Sequence, residues 1–231
     1  MMRRETADHS VQTVTQQLIK MRNPAGTALD MMKNMPSLSV STVDTSGMHG
    51  GAINSRSLTD SDMALLVDGA VVTSGVAYIQ ENVDAENIDR IEVTPGSSSI
   101  DQPVTAAALG VMNVHTHNPS DHFGGMMDFS YGTNNMSRQF IRLESGYIGN
   151  SGLKGYFSFS HTHARQWAGA GTAEKRAINF GLKKDIGKDS WFKFYTAWLG
   201  TAFPLFQYPN QAAFSKMKRT GESWGLSDNP S

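Results

Sequence analysis

Residues 64–69 read ALLVDG, an apolar run of strand length that ends at the turn pair Asp-Gly. Two further strand patterns follow, at residues 88–94 and 111–116. A helix is predicted upstream at residues 27–36, where a threonine can cap the first turn and a proline ends the helix. These elements predict a small mixed α+β unit. Its core is expected to contain Leu29, Met32, Leu38, Leu65, Val67, Ile91, Val93 and Val114.

From about residue 124 the pattern changes to strand-length segments in which apolar and polar residues alternate. Five such strands are predicted, at residues 126–131, 138–147, 153–160, 174–183 and 191–198. Alternating strands of about ten residues are typical of a transmembrane β-barrel. A soluble antiparallel sheet with one wet face explains the alternation equally well, but aromatic residues at the strand ends favour the membrane interpretation. One common face is expected to carry Phe129, Ile141, Leu143, Phe157, Phe159, Ile178, Phe180, Phe192 and Phe194.

The composition excludes several classes of protein. The chain has 231 residues, with 20 Lys and Arg against 21 Asp and Glu. This balance argues against a nucleic-acid partner, which needs a basic surface, and against a polybasic membrane-surface protein. No cysteine is present, which excludes structural disulfides and thiolate metal sites. No stretch of about 18 apolar residues occurs, so no transmembrane helix is predicted.

Several segments together resemble the plug domain of TonB-dependent outer-membrane receptors. ALLVDG at residues 64–69 is similar to the family's Val-Leu-Val-Asp-Gly strand and turn, and IDRIEV at residues 88–93 is similar to Ile-Glu-Arg-Ile-Glu-Val. GVMNVHTHNP at residues 110–119 resembles the segment that closes the plug, while residues 24–40 and 53–58 resemble earlier plug segments. The sequence departs from the family pattern at Ser37, Ser57, Leu109 and His117.

The resemblance implies an α+β plug domain at residues 10–120, followed at residues 124–200 by the first five strands of an incomplete antiparallel transmembrane β-barrel. Residues 1–9 are interpreted as an N-terminal tail, and residues 201–231 as a loop or truncated end. Plugged barrels have about 22 strands. The chain is therefore expected to be the N-terminal portion of a receptor. Alone it is expected to transport nothing, because strand edges in lipid leave backbone groups unpaired.

The resemblance also implies a function, which is energy-coupled uptake of a scarce nutrient, such as a ferric siderophore, across the cell outer membrane. The expected partners are the TonB energy-transducing complex, a small-molecule nutrient or metal chelate, and outer-membrane lipid. A non-transporting fragment of a receptor gene and a passive porin-like protein are the alternatives. No cofactor is expected. The sequence has no phosphate loop, nucleophile elbow or zinc-protease motif, so an enzyme is not predicted.

One group of candidate site residues is charged. By resemblance, Arg56, Arg90 and Glu92 are implicated in ion pairs that hold the plug to the barrel wall. Alternation puts Arg90 and Glu92 on one face of their strand. The alternative is an ordinary solvated strand face.

A second group begins the longest connection predicted between two strands, at residues 161–172. His161 and His163 share a strand face, as do His115 and His117, and such a pair can chelate zinc or copper. No cysteine and no convincing carboxylate completes a four-ligand site, so no metal is predicted. The candidates that an external ligand could reach are His161, His163, Arg165 and Trp167.

Overall fold

A computed structural model of the chain describes residues 11–15, 28–33, 38–42, 48, 50–55, 58–72, 79, 83–96, 104, 107–165, 171–187, 190–202 and 211–220. Two of the candidate site residues, Arg56 and Trp167, lie outside these residues. So do both ends of the predicted helix at residues 27–36.

The N-terminal domain is the mixed α+β unit that the sequence predicts. Its sheets have the strand orders β1-β7-β8-β5-β6 and β2-β3-β4, as defined below. Within the larger sheet β5 and β8 run parallel, and the other neighbours pair antiparallel. The elements are β1 (Gln12–Thr15), α1 (Ala28–Met32), β2 (Ser39–Thr42), β3 (Gly51–Ser55), β4 (Leu58–Thr59), β5 (Met63–Val67), β6 (Ala70–Val72), β7 (Ile88–Pro95) and β8 (Gly110–Thr116), with 3₁₀ turns at Asp60–Asp62 and Ala85–Asn87.

The core of this domain contains the residues that the sequence analysis selected. Leu65 and Ile91 belong to one buried cluster and are 2% and 0% exposed. Leu38 and Val67 are partly buried and pack against the cluster. Because successive side chains of a strand point to opposite faces, Ile91 of β7 enters this core while Glu92 points away from it. The predicted core is confirmed.

The Asp68-Gly69 turn joins β5 to β6 and depends on a left-handed backbone. Asp68 has φ 49° and Gly69 has φ 83°, the conformation that a two-residue hairpin requires and that Asp-Gly adopts readily. The Asp68 carboxylate also accepts hydrogen bonds from the Thr116 amide, at 3.0 Å, and from the Thr116 hydroxyl. The turn therefore ties β5 to the end of β8.

The C-terminal sheet is an antiparallel meander in the order β9-β10-β11-β12-β13. Its outer strands, β9 and β13, do not pair with each other within the described residues, so the sheet is open. A helix, α2 (Gln211–Thr220), follows the sheet. Among the described helices, none is long and apolar enough to span a membrane. The strands are β9 (Phe123–Gly132), β10 (Met136–Ser145), β11 (Leu153–Arg165), β12 (Thr172–Ile186) and β13 (Ser190–Ala202).

The apolar residues of the C-terminal sheet share the face that points away from the N-terminal domain. Directly opposite residues of an antiparallel pair lie on the same face, and Phe159 lies opposite both Ile141 and Ile178. The predicted common face is confirmed, and several of its side chains are largely exposed, such as Phe129 at 70%. A soluble sheet would bury this face against the rest of the protein. The structure therefore favours membrane strands over a soluble sheet.

Four of the five strands are longer than the alternation predicted, and β10 has the predicted length but begins and ends two residues earlier. β11 continues to Arg165 and β12 begins at Thr172, so much of the predicted loop at residues 161–172 is strand. The apolar signal ends at Phe159 because both faces of β11 become polar beyond it, with Thr162 on one face and His161 on the other. Period-2 hydrophobicity marks only the apolar part of a strand, whereas the backbone ladder continues.

Ile91→Asp tests the position of the N-terminal core. A carboxylate at this fully buried position has no cation to pair with in the apolar cluster, so the unfolding free energy should fall by roughly 3–5 kcal/mol. Denaturant unfolding of the detergent-solubilised chain, followed by circular dichroism, measures this loss. Val71→Asp is the control, since Val71 is 51% exposed and should change stability by less than about 0.5 kcal/mol. Equal losses in both variants would contradict the core assignment.

Candidate functional site

A short segment of the N-terminal domain, residues 83–87, lies against the polar face of the C-terminal sheet. Val83 and Ile88 are buried in the core and anchor the segment at both ends. Between them, the 3₁₀ turn Ala85–Asn87 is closed by the Asn87 amide, which donates to the Asp84 carbonyl oxygen at 2.9 Å. Because the core holds the backbone in this turn, the polar side chains of the segment project toward the sheet.

Asp84 carries contacts to three adjacent strands. Its Oδ1 atom lies 3.4 Å from Lys175 Nζ of β12 and 3.4 Å from Arg138 Nη2 of β10. Its Oδ2 atom accepts hydrogen bonds from the Ser160 hydroxyl of β11, at 2.8 Å, and from the Asn179 amide of β12, at 3.1 Å. One carboxylate, itself 2% exposed, therefore fixes the domain to the middle of the sheet.

Glu86 adds a second acidic group beside Asp84. Arg138 donates to the two oxygens of Glu86 from Nε, at 2.9 Å, and from Nη2, at 2.7 Å. Such a two-point contact between guanidinium and carboxylate is stronger and more directional than a single bond. Arg138 also donates from Nη1 to the Thr162 hydroxyl at 2.8 Å, which orients its side chain along the sheet.

Asn87 extends the same contact toward a second arginine. Its amide donates to the Ser158 hydroxyl at 2.7 Å. Arg142 donates from Nη1 to the Asn87 side-chain oxygen at 3.2 Å and to the Glu86 carbonyl oxygen at 2.7 Å. We refer to the whole arrangement as the Asp84 pocket, which consists of Asp84, Glu86, Asn87, Arg138, Arg142, Ser158, Ser160, Thr162, Lys175 and Asn179.

The charges of the pocket decide the protonation of Asp84. Burial alone would raise the pKa of this carboxyl group. The positive charges of Lys175 and Arg138, with hydrogen bonds from Ser160 and Arg138, more than offset burial, and the pKa lies below the ordinary value for aspartate. The pocket therefore holds an ionised carboxylate that stays in place only while its cations do.

A second set of contacts fixes the connecting segment, residues 117–122, to the sheet. Glu144 of β10 lies 2.8 Å from His117 Nε2 and accepts a hydrogen bond from the Ser120 amide at 3.0 Å. Asp121 pairs with Lys154 of β11. The segment between the two domains is therefore held at both its beginning and its end.

A third contact joins the Asp68-Gly69 turn to β13. Lys193 donates to Asp68 Oδ1 at 3.1 Å and to the Thr116 carbonyl oxygen at 2.8 Å. The turn that ties β5 to β8 is thus also attached to the sheet. Together the three contact regions reach β10, β11, β12 and β13, so the domain is held across most of the width of the sheet.

Arg90 and Glu92, two of the predicted plug-to-wall residues, make the contacts described for them inside the N-terminal domain. Arg90 Nε lies 2.8 Å from Glu92 Oε1, and Glu92 Oε2 lies 2.9 Å from His115 Nε2. Burial would raise the pKa of Glu92, but hydrogen bonds from Arg90 and His115 more than offset it, and the pKa is lowered. The third predicted residue, Arg56, lies outside the described residues.

Sequence reasoning missed the residues that make the contacts between the domains, although one signal was present. The polar face of the predicted strands is strongly basic, which indicates that an acidic surface packs against it. That face carries Arg138, Arg142, Lys154, Lys175 and Lys193.

The predicted ligand-facing residues lie on β11 and face away from the N-terminal domain. His161, His163 and Arg165 alternate with the inward-facing Thr162 and Ala164, so a ligand held between the two domains would not contact them. Trp167 lies outside the described residues. His115 and His117 pair with different carboxylates. In the part of the chain that the structure describes, no group of three or more His, Asp or Glu residues is arranged to hold a metal ion.

Comparison with known proteins assigns the N-terminal domain. Residues 3–109 match the sequence model of a protein family, the TonB-dependent receptor plug domain. The chain carries a TonB-dependent receptor plug domain. We therefore call the N-terminal domain the plug. A search of curated proteins found no match to the sequence.

The solved structures that resemble the chain are receptors, and they match it over the plug together with the start of the receptor barrel. The ferripyoverdine receptor of Pseudomonas aeruginosa matches with a TM-score of 0.68 and 16% identity, over 84% of this chain and 25% of that receptor. The siderophore receptor PiuA of Acinetobacter baumannii matches with a TM-score of 0.65 and 15% identity, over 84% of this chain and 26% of PiuA. The alcaligin receptor FauA of Bordetella pertussis matches with a TM-score of 0.67 and 16% identity, over 86% of this chain and 33% of FauA. The chain thus spans about a quarter to a third of these receptors.

Asp84→Asn tests whether the pocket holds the plug. The amide keeps the size of the side chain but removes a negative charge shared by two buried cations, so the unfolding free energy should fall by roughly 3–5 kcal/mol. Denaturant unfolding of the full chain in detergent measures this loss. Asp89→Asn is the matched control, since Asp89 is 32% exposed in its pair with Arg90 and such pairs contribute less than about 1 kcal/mol. If the loss is no larger than in the control, the Asp84 carboxylate does not hold the plug to the sheet.

The stability lost in Asp84→Asn is expected to depend on pH. Because the folded-state pKa of Asp84 lies below its ordinary value of 3.8, the ionised group stabilises the folded state above that value. This contribution is lost as the pH falls from about 3.8 through the lower folded pKa. The difference in unfolding free energy between wild type and Asp84→Asn should therefore shrink below about pH 4. A difference that stays constant between about pH 6 and about pH 2 would show that the charge of Asp84 does not stabilise the fold.

Proposed function

We propose that this chain forms the plug and first wall strands of an outer-membrane receptor. The receptor takes up a scarce nutrient, such as a ferric siderophore, with energy delivered through the TonB complex. The observation that carries the proposal is the Asp84 pocket, in which a plug segment is fixed to the polar face of strands whose other face is apolar. The similar solved structures are described as receptors for ferripyoverdine, siderophore and alcaligin, which supports a metal chelate as the nutrient.

The ion pairs give the plug two properties that such a receptor needs. Removing one partner of a buried pair costs several kcal/mol, so the plug stays docked and closes the pore at rest. The pairs also join polar groups to polar groups, so water that enters the interface can replace each bond as the plug moves. A force from TonB could then release the plug step by step, without covalent chemistry.

The contacts indicate which part of the plug moves first. The connecting segment is held by Glu144 and Lys154, next to the strand that leads into the wall. β1 is an edge strand of the plug sheet, whereas β8, which leads into the connecting segment, is its central strand; within that sheet β1 pairs with β7 over four residues. Because few hydrogen bonds hold an edge strand, a pull on the N-terminal side of the plug would detach β1 before it disturbed the Asp84 pocket.

Plug movement can be tested with a reversible crosslink across the Asp84 pocket. The Asn87 amide nitrogen and the Ser158 hydroxyl oxygen lie 2.7 Å apart, and the chain has no native cysteine. In the oxidising periplasm Asn87→Cys and Ser158→Cys should form a disulfide. The assay uses the whole receptor that carries this chain as its plug and first wall strands. If the plug must leave the wall at this point, uptake of a radiolabelled ferric siderophore should stop in the oxidised double variant and return after reduction. Asn87→Cys alone should transport under both conditions.

Comparing hosts with and without TonB separates the alternatives. The whole receptor, with this chain as its plug and first wall strands, is expressed behind a secretion signal in iron-starved cells, and the uptake assigned to it should require TonB. A passive porin-like protein would admit the ligand in both hosts, and a non-transporting protein would admit it in neither. Either result would overturn the proposed function.

A further inference from the structure

A cationic patch interrupts the apolar outer face of the C-terminal sheet at one end of the strands. The patch consists of His161, His163 and Arg165 on β11 and Glu174 and Arg176 on β12. The strand register brings them together, since His161 lies opposite Arg176 and His163 lies opposite Glu174. Arg176 is 59% exposed, so its guanidinium is available on the surface.

The boundary between the patch and the apolar face follows one row across β10 to β13, whereas on β9 the apolar face continues for one more row with Phe129, which lies opposite Gln139. The last apolar row is Ile141, Phe159, Ile178 and Trp198, which lie directly opposite one another on four successive strands. The next row is Gln139, His161, Arg176 and Gly200. On β11 and β12 apolar side chains give way to basic ones within a single row, which is the pattern expected where strands leave the hydrocarbon of a membrane.

The charges of the patch leave it positive. Glu174 Oε1 lies 2.8 Å from His161 Nε2 and accepts a hydrogen bond from Arg176 Nε at 2.8 Å. One carboxylate is therefore shared by two basic side chains, while Arg165 adds a further positive charge. The opposite end of the same strand face lacks such a cluster in the described residues and carries Lys184. The cations thus mark one membrane boundary and not the other.

A shallow groove runs beside the patch. It has a volume of about 260 Å³ and is lined by Glu174, Arg176, Trp198, Gly200, Thr201 and Ala202. A Cβ atom at Gly200 would lie 3.2 Å from the Trp198 ring, so the glycine lets the ring lie along the strand. The groove therefore has a charged wall at one end and an indole at the other, a size and polarity suited to an amphiphile.

We propose that the patch binds the anionic phosphate headgroup of a membrane lipid, with the acyl chain along Phe159, Ile178 and Trp198. Arginine recognises phosphate through two parallel hydrogen bonds, and cations next to an apolar band meet lipid headgroups once the band is in the membrane. A ligand held between plug and wall is excluded as occupant, because the patch is on the face away from the plug. The inference rests on the proposed function for the placement of the sheet in a membrane.

The test measures lipid bound to the full chain. The chain is purified in a non-ionic detergent and titrated with diphosphoryl lipid A or with phosphatidylcholine, and native mass spectrometry counts the bound lipid. Wild type should prefer lipid A. Each arginine near a lipid headgroup contributes a factor of about five, so Arg165→Gln with Arg176→Gln should weaken lipid A binding by about 25-fold. Lys184→Gln is the matched control, on the same face and strand as Arg176 at the opposite end, and should bind lipid A within about two-fold of wild type.

The outcomes separate the lipid site from the proposed function. Equal binding of the two lipids, or equal loss in Lys184→Gln and the arginine variant, would overturn the lipid site. A second measurement tests the membrane placement. Lipids with brominated acyl chains should quench the fluorescence of Trp198. The contribution of Trp198 is identified as the part of the signal that is missing in Trp198→Phe. Absence of this quenching would overturn the membrane placement and the proposed function with it. Quenching without a preference for the anionic lipid A over the zwitterionic phosphatidylcholine would overturn the lipid site alone.

Discussion

A carboxylate that is buried in a protein must be paired with cations. Because Asp84 of the plug finds its cations on the C-terminal sheet, this requirement holds the two domains together. An unpaired ion in the interior costs several kcal/mol. The cations come from β10 and β12, and a hydroxyl comes from β11 between them. All three strands must therefore hold one register for the pocket to exist. A slip of β12 by one residue would turn Lys175 outward and bring Glu174 or Arg176 to face Asp84.

The same register serves the opposite face of the sheet. The alternation that directs Lys175 to the plug directs Ile178 and Phe180 away from it. Most domains gain stability by burying their apolar residues inside. Here the polar face is the buried one, and the apolar face needs lipid as its solvent. The membrane and the Asp84 pocket consequently select the same strand register from two sides of the sheet.

The sequence predicted those features that depend on short-range patterns. Alternation located the five wall strands and their common face, and the apolar runs at β5, β7 and β8 located the plug core. The Asp84 pocket was missed because its acidic members lie far from its basic members in the sequence, and alternation places the basic residues on one strand face without showing which plug residues pack against them. The extension of β11 to Arg165 was missed for a related reason, since both of its faces are polar there. His161 and His163 could be placed on one strand face, but only the register shows which side of the sheet that face is on.

The separation along the chain between Asp84 and its partners has a consequence for the order of assembly. Arg138, Ser160 and Asn179 follow Asp84 by 54, 76 and 95 residues, whereas the plug core is complete by Val114. Contacts over long loops form late, because loop closure must come first. The plug can therefore fold while its acidic segment is still hydrated, and Asp84 has both of its cations only when the fourth strand of the C-terminal sheet, β12, arrives. Docking of the plug onto the sheet is then a late step of assembly, and any delay in the arrival of β12 would delay it too.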